Sequence, residues 1–399
     1  MPTLYYCDPG LMTDLGHHAA TCREVTAVFR AKGWDVQVYL HRQTQKPLLA
    51  ELEGWPYFRA HTYTSYSDDP FAAELFSFDA AAKATREDLE MLPEMASGDL
   101  VFWNTASAPH IAALGAWQAE RFSAASSPAI FVELGKHPGW SPGAPVTSQE
   151  PGLFRYAARR IDADAGRRFH CLAFDPRMAE AYALLLERPV HALTPPRSAA
   201  EPRRRRMSDP PTVGVLGHQR PKKGFDLMPE ICRLLFACGA DVHILAHNGA
   251  PESALEATQA LEAIAADDPR LTVIHKTADA QMWDRLYDAI DLLLLPYDPA
   301  VYRANYSAVQ VEALCRGIPC VVPADTALAA TLEESGGTGT VFAEWTPGCI
   351  ADALLRALAG FDDFAERAYA AALEWNARSG ARKTVQELLD LREKEVQAP

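Results

Sequence analysis

The chain has 399 residues, 48% of them hydrophobic and 23% charged, a length that exceeds one comfortable core, fits two domains of about 200 residues each, and a composition that excludes a disordered or fibrous protein. A formal net charge of -14 excludes the generally cationic surface that nucleic-acid binding uses, so no nucleic-acid partner is expected. Its eight cysteines are scattered without CxxC spacing, which argues against a zinc site or a disulfide framework and for buried thiols in a reducing compartment.

The amino terminus lacks a basic region followed by a long apolar stretch, and no window approaches the ~18 uninterrupted apolar residues of a membrane span. A cytoplasmic protein is the expectation. In chain order, residues 4–7 predict a short strand, followed by a turn-rich stretch ending at Gly16. Apolar or small residues at Ala20, Val25, Val28 and Phe29 predict a helix from about 17 to 32, stopped by Gly33. Residues 35–40 predict the next strand, giving the β-loop-α-β opening of a doubly wound sheet. The middle of the first half is less regular. Strands are expected at 100–103 and 129–132, helices near 71–95 and 108–122, and late strands at 169–172 and 190–193.

Pro195, Pro196, Pro202, the arginines 203–206 and Pro210 mark a linker at 195–210. The arginine run reads as a solvated connector, with contact to an anionic membrane or acceptor as the alternative. In the second half, strands are expected at 212–217, 241–246, 271–274, 291–295 and 319–322, with a helix at 225–238 and a mostly helical, charged stretch from 361 to 395. Short continuously apolar strands between amphipathic helices predict a parallel sheet covered on both faces. The run 31–41 echoes 237–247, each a helix end, a glycine and a strand. The expected class is α/β: two facing Rossmann-like domains, 1–194 and 211–375, with a cleft between them. A helical tail at 376–399 has the option of packing back on the first domain.

Three segments carry candidate chemistry. Gly16, His17 and His18 sit where the first strand passes into a helix, where a glycine permits close approach of a ligand and the helix start offers N–H groups to an anion. Residues 217–226, Gly-His-Gln-Arg-Pro-Lys-Lys-Gly-Phe-Asp, repeat that position in the second half. Arg220 and Lys223 are suited to meet charge on a departing pyrophosphate, although the spacing is not that of a P-loop. In residues 298–319, Glu312 lies on a largely apolar helix, where a carboxylate needs partners: a ribose diol, or a nearby arginine.

The strand-glycine and Lys-Gly turn, followed by Glu312-Ala313-Leu314-Cys315-Arg316-Gly317-Ile318-Pro319-Cys320-Val321-Val322, resembles the retaining glycosyltransferases of the GT-B fold, the glycogen-synthase-like, glycosyltransferase 4-like group. The likeness is strong from 213 to 322 and loose before 195. It implies an acceptor-binding first domain and a second domain that binds a nucleoside diphosphate-sugar, a UDP- or GDP-sugar. It also implies that Lys223 meets the donor phosphates, Glu312 the ribose, and Gly16 and His17 the loop beneath the donor. Gly217 and His218 open the second loop; His218 stands where the family has an arginine, leaving Arg220 as its substitute. Ala304 stands where the first glutamate of the Glu-x7-Glu motif would fall, leaving Arg303, Asn305, Tyr306 and Ser307 to contact the sugar. His110 matches loosely an acceptor-side histidine near the donor, and is otherwise a helix-capping or core residue. His18, Glu133, Lys136 and His137 are acceptor-side candidates.

The implied reaction is hexosyl transfer with retention to a saccharide, lipid-linked or protein hydroxyl, with no side-chain nucleophile and no tightly bound cofactor or required metal. The pairs Asp68-Asp69 and Asp267-Asp268 read as surface carboxylates. The alternatives are a nucleotide-sugar epimerase of the same shape, or a non-catalytic binding or adaptor protein.

Overall fold

The computed structural model describes residues 1–14, 16–63, 70–138, 149–161, 168–197 and 201–397, and of residues 70–74, 251 and 395–397 only the backbone. The Asp68-Asp69 pair and residues 198–200 of the expected linker therefore lie outside the described residues. The chain divides into two compact units, Met1–Pro196 with Ala381–Pro399, and Arg197–Gly380.

The first unit is built on seven parallel strands: β1 (Thr3–Asp8), β2 (Asp35–His41), β3 (Gly54–Phe58), β4 (Leu100–Trp103), β5 (Ala129–Glu133), β6 (Phe169–Ala173) and β7 (Val190–Ala192). Their order is β3-β2-β1-β4-β5-β6-β7. The central strands β4 and β5 are wholly buried, as continuous apolar runs between two helical layers must be. The second unit has six: β8 (Thr212–Val215), β9 (His243–His247), β10 (Leu271–Ile274), β11 (Leu292–Leu294), β12 (Cys320–Pro323) and β13 (Gly339–Phe342), ordered β10-β9-β8-β11-β12-β13 and again parallel. Both units are Rossmann-like. The echoed segments occupy equivalent places. Gly33 and Gly239 both stop helices at positive φ, +80° and +77°, and β2 and β9 each flank the first strand of their sheet.

Several expectations change. The helix at Lys46–Leu52 and strands β3 and β13 were not anticipated. The helix expected from 225 starts at Met228, because Gly224 at φ +66° divides the approach into two single turns of 3-10 helix, Pro221–Lys223 and Phe225–Leu227. The charged terminal stretch is two helices, Phe361–Arg378 and Ala381–Gln397, parted at Gly380 with φ +72°. All eight cysteines are unbridged, but Cys238 is exposed and Cys349 half-buried.

In the arginine run Arg203, Arg204 and Arg206 are exposed, as a solvated connector has them, and Arg205 departs from that reading. Arg203 pairs with Asp288 at 3.2 Å and Arg204 with Glu366 at 2.9 Å. Arg205, largely buried, donates to the carbonyls of Asp288 and Ile290, each at 3.2 Å. Among the described residues no helix is long and apolar enough to cross a membrane.

Helix Ala381–Gln397 completes the first unit. Val385 and Leu388 are fully buried, Thr384 donates to the Thr194 carbonyl at 2.7 Å, and Arg392 to that of Gly98 at 2.6 Å. Truncating Leu388 to alanine leaves a cavity at this seam. Leu388→Ala is expected to destabilise the first unit by about 2–5 kcal/mol, read as an earlier urea unfolding transition, whereas exposed Leu373→Ala is expected to cost under about 0.5 kcal/mol.

Candidate functional site

In the second unit the sheet order reverses at β8, so the loops leaving β8 and β11 part and open a crevice beyond the carboxyl ends of the strands. Residues 216–224 form one wall and residues 295–307 the other. Gly224 brings them together: a Cβ there would stand 1.8 Å from the Pro296 carbonyl oxygen, so only glycine fits. The same carbonyl accepts a hydrogen bond from the Trp345 indole at 2.8 Å. Gly217, at φ +131°, turns the chain under the Lys223 ammonium, with its missing Cβ 3.4 Å from Nζ.

Lys223 ends the first 3-10 turn, half-buried, with Nζ 5.3 Å from the Tyr297 ring centre. Burial pushes its ammonium below the ordinary value; Tyr302 pulls the other way, and Arg220 adds to the lowering. Among the described residues no carboxylate pairs with Lys223 or with the exposed Arg220 and Arg303. His218 is half-buried beside these cations, its imidazole held below its usual value by burial, then by Lys223 and Arg220.

Glu312 has the arginine partner of the non-ligand reading, and an indole besides. Its Oε2 accepts the Trp283 indole hydrogen at 2.6 Å, and Oε1 lies 3.6 Å from Nε of Arg197. Arg197 is 3% exposed and Glu312 16%. A carboxylate has about four acceptor positions, so a solvent-facing edge remains. The segment carrying Arg197 is fixed by its carbonyl, which accepts from Trp375 at 2.8 Å.

The residues nominated for the sugar have local structural duties. Ser307 caps helix Ala308–Arg316 by accepting from the Gln310 N–H, and Asn305 donates to the Val301 carbonyl at 2.7 Å. Tyr306 is half-buried, and Ala304 is buried.

The first unit repeats the reversal at β1, between the loops after β1 and β4. Gly16, at φ +74°, leads into helix His17–Ala31 with no side-chain cap from the N-cap position. His17 lies against His18, ring centres 4.3 Å apart. His18 is buried with Nδ1 at 2.8 Å and 3.0 Å from the two oxygens of fully buried Asp8. Asn104 also donates to Asp8, at 2.8 Å. Glu133 ends β5 and is buried, accepting from the N–H and hydroxyl of Thr105 at 2.9 Å and 3.2 Å. Burial pushes its carboxyl up to about 7, against the pull of the two Thr105 bonds.

His110 is a capping residue. Its Nδ1 accepts from the Ser107 N–H at 3.0 Å in a capping box at the start of helix Ala108–Arg121, its ring leans on Trp103, and burial takes its imidazole down to about 3. Lys136 is exposed and pairs with Glu150 at 2.7 Å. His137 is half-buried, its imidazole lowered by burial. Of the surface carboxylates, Asp268 is engaged by Arg270 at 2.6 Å. Among the described residues no three His, Cys, Asp or Glu side chains form a metal site.

Sequence reasoning passed over Trp283, Arg197, Tyr297 and Tyr302 in the second unit, and Asp8, Asn104, Thr105 and Tyr63 in the first. The one available signal was position, since Asp8 and Asn104 each end or follow a strand flanking the reversal.

A family model described as Family 4 Glycosyltransferase in conflict systems matches residues 170–394, more than half of the chain. No curated protein sequence matches. Among solved structures, sucrose-phosphate synthase of Thermosynechococcus elongatus is similar at 14% identity and a TM-score of 0.69, with all of both chains covered. Alr3699/HepE of Anabaena, determined with UDP, is similar at 15% identity and a TM-score of 0.64, covering 99% of this chain and 100% of that one. A putative UDP-N-acetylglucosamine 2-epimerase of Listeria monocytogenes is similar at 13% identity and a TM-score of 0.62, covering 99% and 96%. At these identities the likeness is one of fold, the GT-B fold.

Glu133 and His110 make opposed contributions to stability against pH. A carboxyl raised from 4.5 to about 7 holds a proton that the unfolded chain releases, so its contribution falls as pH rises through that window. An imidazole lowered from 6.5 to about 3 excludes one, so its contribution rises with pH over that range. Glu133→Gln removes only the first slope. Between about pH 4.5 and pH 7 the variant is expected to gain up to about 3 kcal/mol relative to the wild type, measured by urea unfolding at successive pH values.

Proposed function

We propose a donor, a course and site residues for a chain that belongs to the family 4 glycosyltransferases in conflict systems. It is a glycosyltransferase of the GT-B fold that takes its sugar from a nucleotide-sugar donor. The donor we assign is a UDP- or GDP-hexose, and the reaction is transfer of the hexosyl group to a hydroxyl with retention at the anomeric carbon.

The observation that carries this reading is Lys223, a half-buried ammonium at the β8–β11 reversal with no carboxylate partner among the described residues. A cation taken from water without a counter-ion is costly, and an arriving diphosphate supplies that counter-ion. Arg220 adds a second positive charge from the same loop, within electrostatic reach of Lys223. As the bond from the anomeric carbon to the diphosphate breaks, charge grows on the phosphate oxygens, and fixed cations lower that barrier more than they tighten ground-state binding. Glu312, oriented by Trp283 and Arg197, presents its remaining acceptor positions to the ribose hydroxyls. In the front-face course the acceptor oxygen bonds to the anomeric carbon on the side the diphosphate leaves.

UDP-glucose is the first donor to assay, since the Anabaena protein of like fold is known in complex with it. Incubation with a panel of UDP- and GDP-sugars and simple saccharide acceptors is expected to release nucleoside diphosphate, with NMR of the product giving the donor's anomeric configuration. Lys223→Ala is expected to lower kcat about 100-fold or more, and Glu312→Gln to raise the KM for the donor. Turnover of no nucleotide sugar would reject the reading, full activity in both variants would reject the site, and an inverted product would reject the course.

A further inference from the structure

We propose that His247 is a positioning residue of the donor site: its Nδ1 holds the Gly217 turn beneath Lys223, and a proton taken up on that nitrogen releases the turn and the donor with it. This rests on the donor site assigned above, and every group involved belongs to the second unit.

His247 ends β9, beside the first strand of its sheet, and is 1% exposed. Its ring stands between two backbone groups whose roles are fixed. Nδ1 lies 3.4 Å from the nitrogen of Gly217, whose N–H only donates, and Nε2 lies 2.9 Å from the carbonyl oxygen of Lys276, which only accepts. The imidazole hydrogen therefore resides on Nε2 and the lone pair on Nδ1. Both partners are neutral peptide groups, so no ionisation of a neighbour enters the assignment.

The same residue engages the donor loop elsewhere. Its carbonyl accepts from the Gln219 side chain at 3.0 Å, and the Gly249 N–H donates to the Gly217 carbonyl at 2.9 Å. A Cβ on Gly249 would fall 2.8 Å from Cδ2 of His218 and 3.3 Å from Cε1 of His247, so both rings pack on bare backbone. The imidazole also meets the Trp283 ring, centres 5.7 Å apart, and that indole donates to Glu312. One ring thus touches the turn beneath Lys223 and the indole that orients Glu312, the two halves of the proposed donor site.

Of these contacts the Gly217 bond is the one a proton breaks. An imidazolium donates from both nitrogens, so protonation sets a ring N–H against the N–H of Gly217, two buried donors with no acceptor between them. Either the ring or the turn must move, and the turn is the floor of the Lys223 ammonium, its missing Cβ 3.4 Å from Nζ. Burial holds the His247 imidazole below its ordinary value, the Lys276 carbonyl pulls the other way, and His218 adds to the lowering. The ring is therefore neutral at neutral pH and takes up its proton in acid. The titratable group facing it is His218, from the β8 loop, while the end of β10 presents the Lys276 carbonyl and helix Ala280–Asp288 the Trp283 indole. A proton on His218 attracts an anionic donor, an effect of the opposite sign.

The test measures, by calorimetry on the full chain, the dissociation constant of UDP-glucose, or of whichever UDP- or GDP-sugar the wild type binds. The diphosphate of a nucleotide sugar is esterified at both ends and takes up no proton in the range used, so a loss of affinity in acid reports on the protein. His247→Asn places an amide oxygen near the Nδ1 position, an acceptor for Gly217 that does not titrate. His247→Gln reaches toward the Lys276 carbonyl instead and gives up the Gly217 bond. Wild-type affinity is expected to fall at least about tenfold from about pH 8 to about pH 5. At about pH 8 His247→Gln is expected to bind about tenfold more weakly than His247→Asn, and neither variant is expected to share the wild type's loss in acid. Nitrogen NMR of the wild-type ring, which needs no variant to fold, is expected to show the Nε2–H form at neutral pH. The Nδ1–H form overturns the positioning role, as does a wild-type affinity that holds through acid, an Asn variant that falls as steeply as the wild type, or a Gln variant as tight as the Asn variant; in each case the donor site stands. A wild type that binds no nucleotide sugar overturns the donor site, and this role with it.

Discussion

Parallel strands joined through helices cross over with one hand, and that single constraint places every candidate group in this protein. Each sheet starts in its middle, at β1 or β8, winds outward to one edge and then restarts on the other side. When the direction of winding changes and the hand does not, successive helices fall on opposite faces. The loops on either side of the first strand then diverge, and no helix fills the gap. Asp8, His18, Asn104 and Glu133 collect at one such gap, and Lys223, Arg220 and Glu312 at or beside the other.

The two gaps handle buried charge in opposite ways. In the first unit the polar groups are bonded to one another: Asp8 has its donors, Glu133 is held by Thr105, and burial keeps the Glu133 carboxyl up near 7. Such a network holds groups in fixed geometry and lets one of them gain or lose a proton without disordering the rest. In the second unit Lys223 bears an uncompensated charge, which favours whatever anion arrives. A fixed cation of this kind is suited to neutralising the charge of a bound anion.

Buried central strands announce themselves in sequence because both faces must be apolar: the strand expected at 100–103 is β4, and the one expected at 129–132 falls within β5. β3 and β13 were illegible for the converse reason. They are edge strands, so Trp55, Pro56 and Val341 can face outward and the apolar signal is diluted. Lys223 was singled out through the family resemblance of its strand-glycine and Lys-Gly turn, and it stands half-buried at the β8–β11 reversal. Trp283 and Arg197 were not, since they reach Glu312 from 29 and 115 positions away, a proximity that only folding creates. His110 illustrates a different limit: in sequence a histidine near that strand fits an acceptor-side reading and a capping one equally, and its Nδ1 accepts the Ser107 N–H in a cap.

Ala304 ties these threads together. It is 8% exposed, so a glutamate there would bury a carboxylate, and Asn305 and Ser307 beside it are bonded into their own helix ends. In the proposed assignment the second unit's charged groups therefore serve the diphosphate and ribose, and few are left for the hexose. A site that grips the leaving group and only loosely the sugar stabilises bond breaking without fixing which hydroxyl attacks.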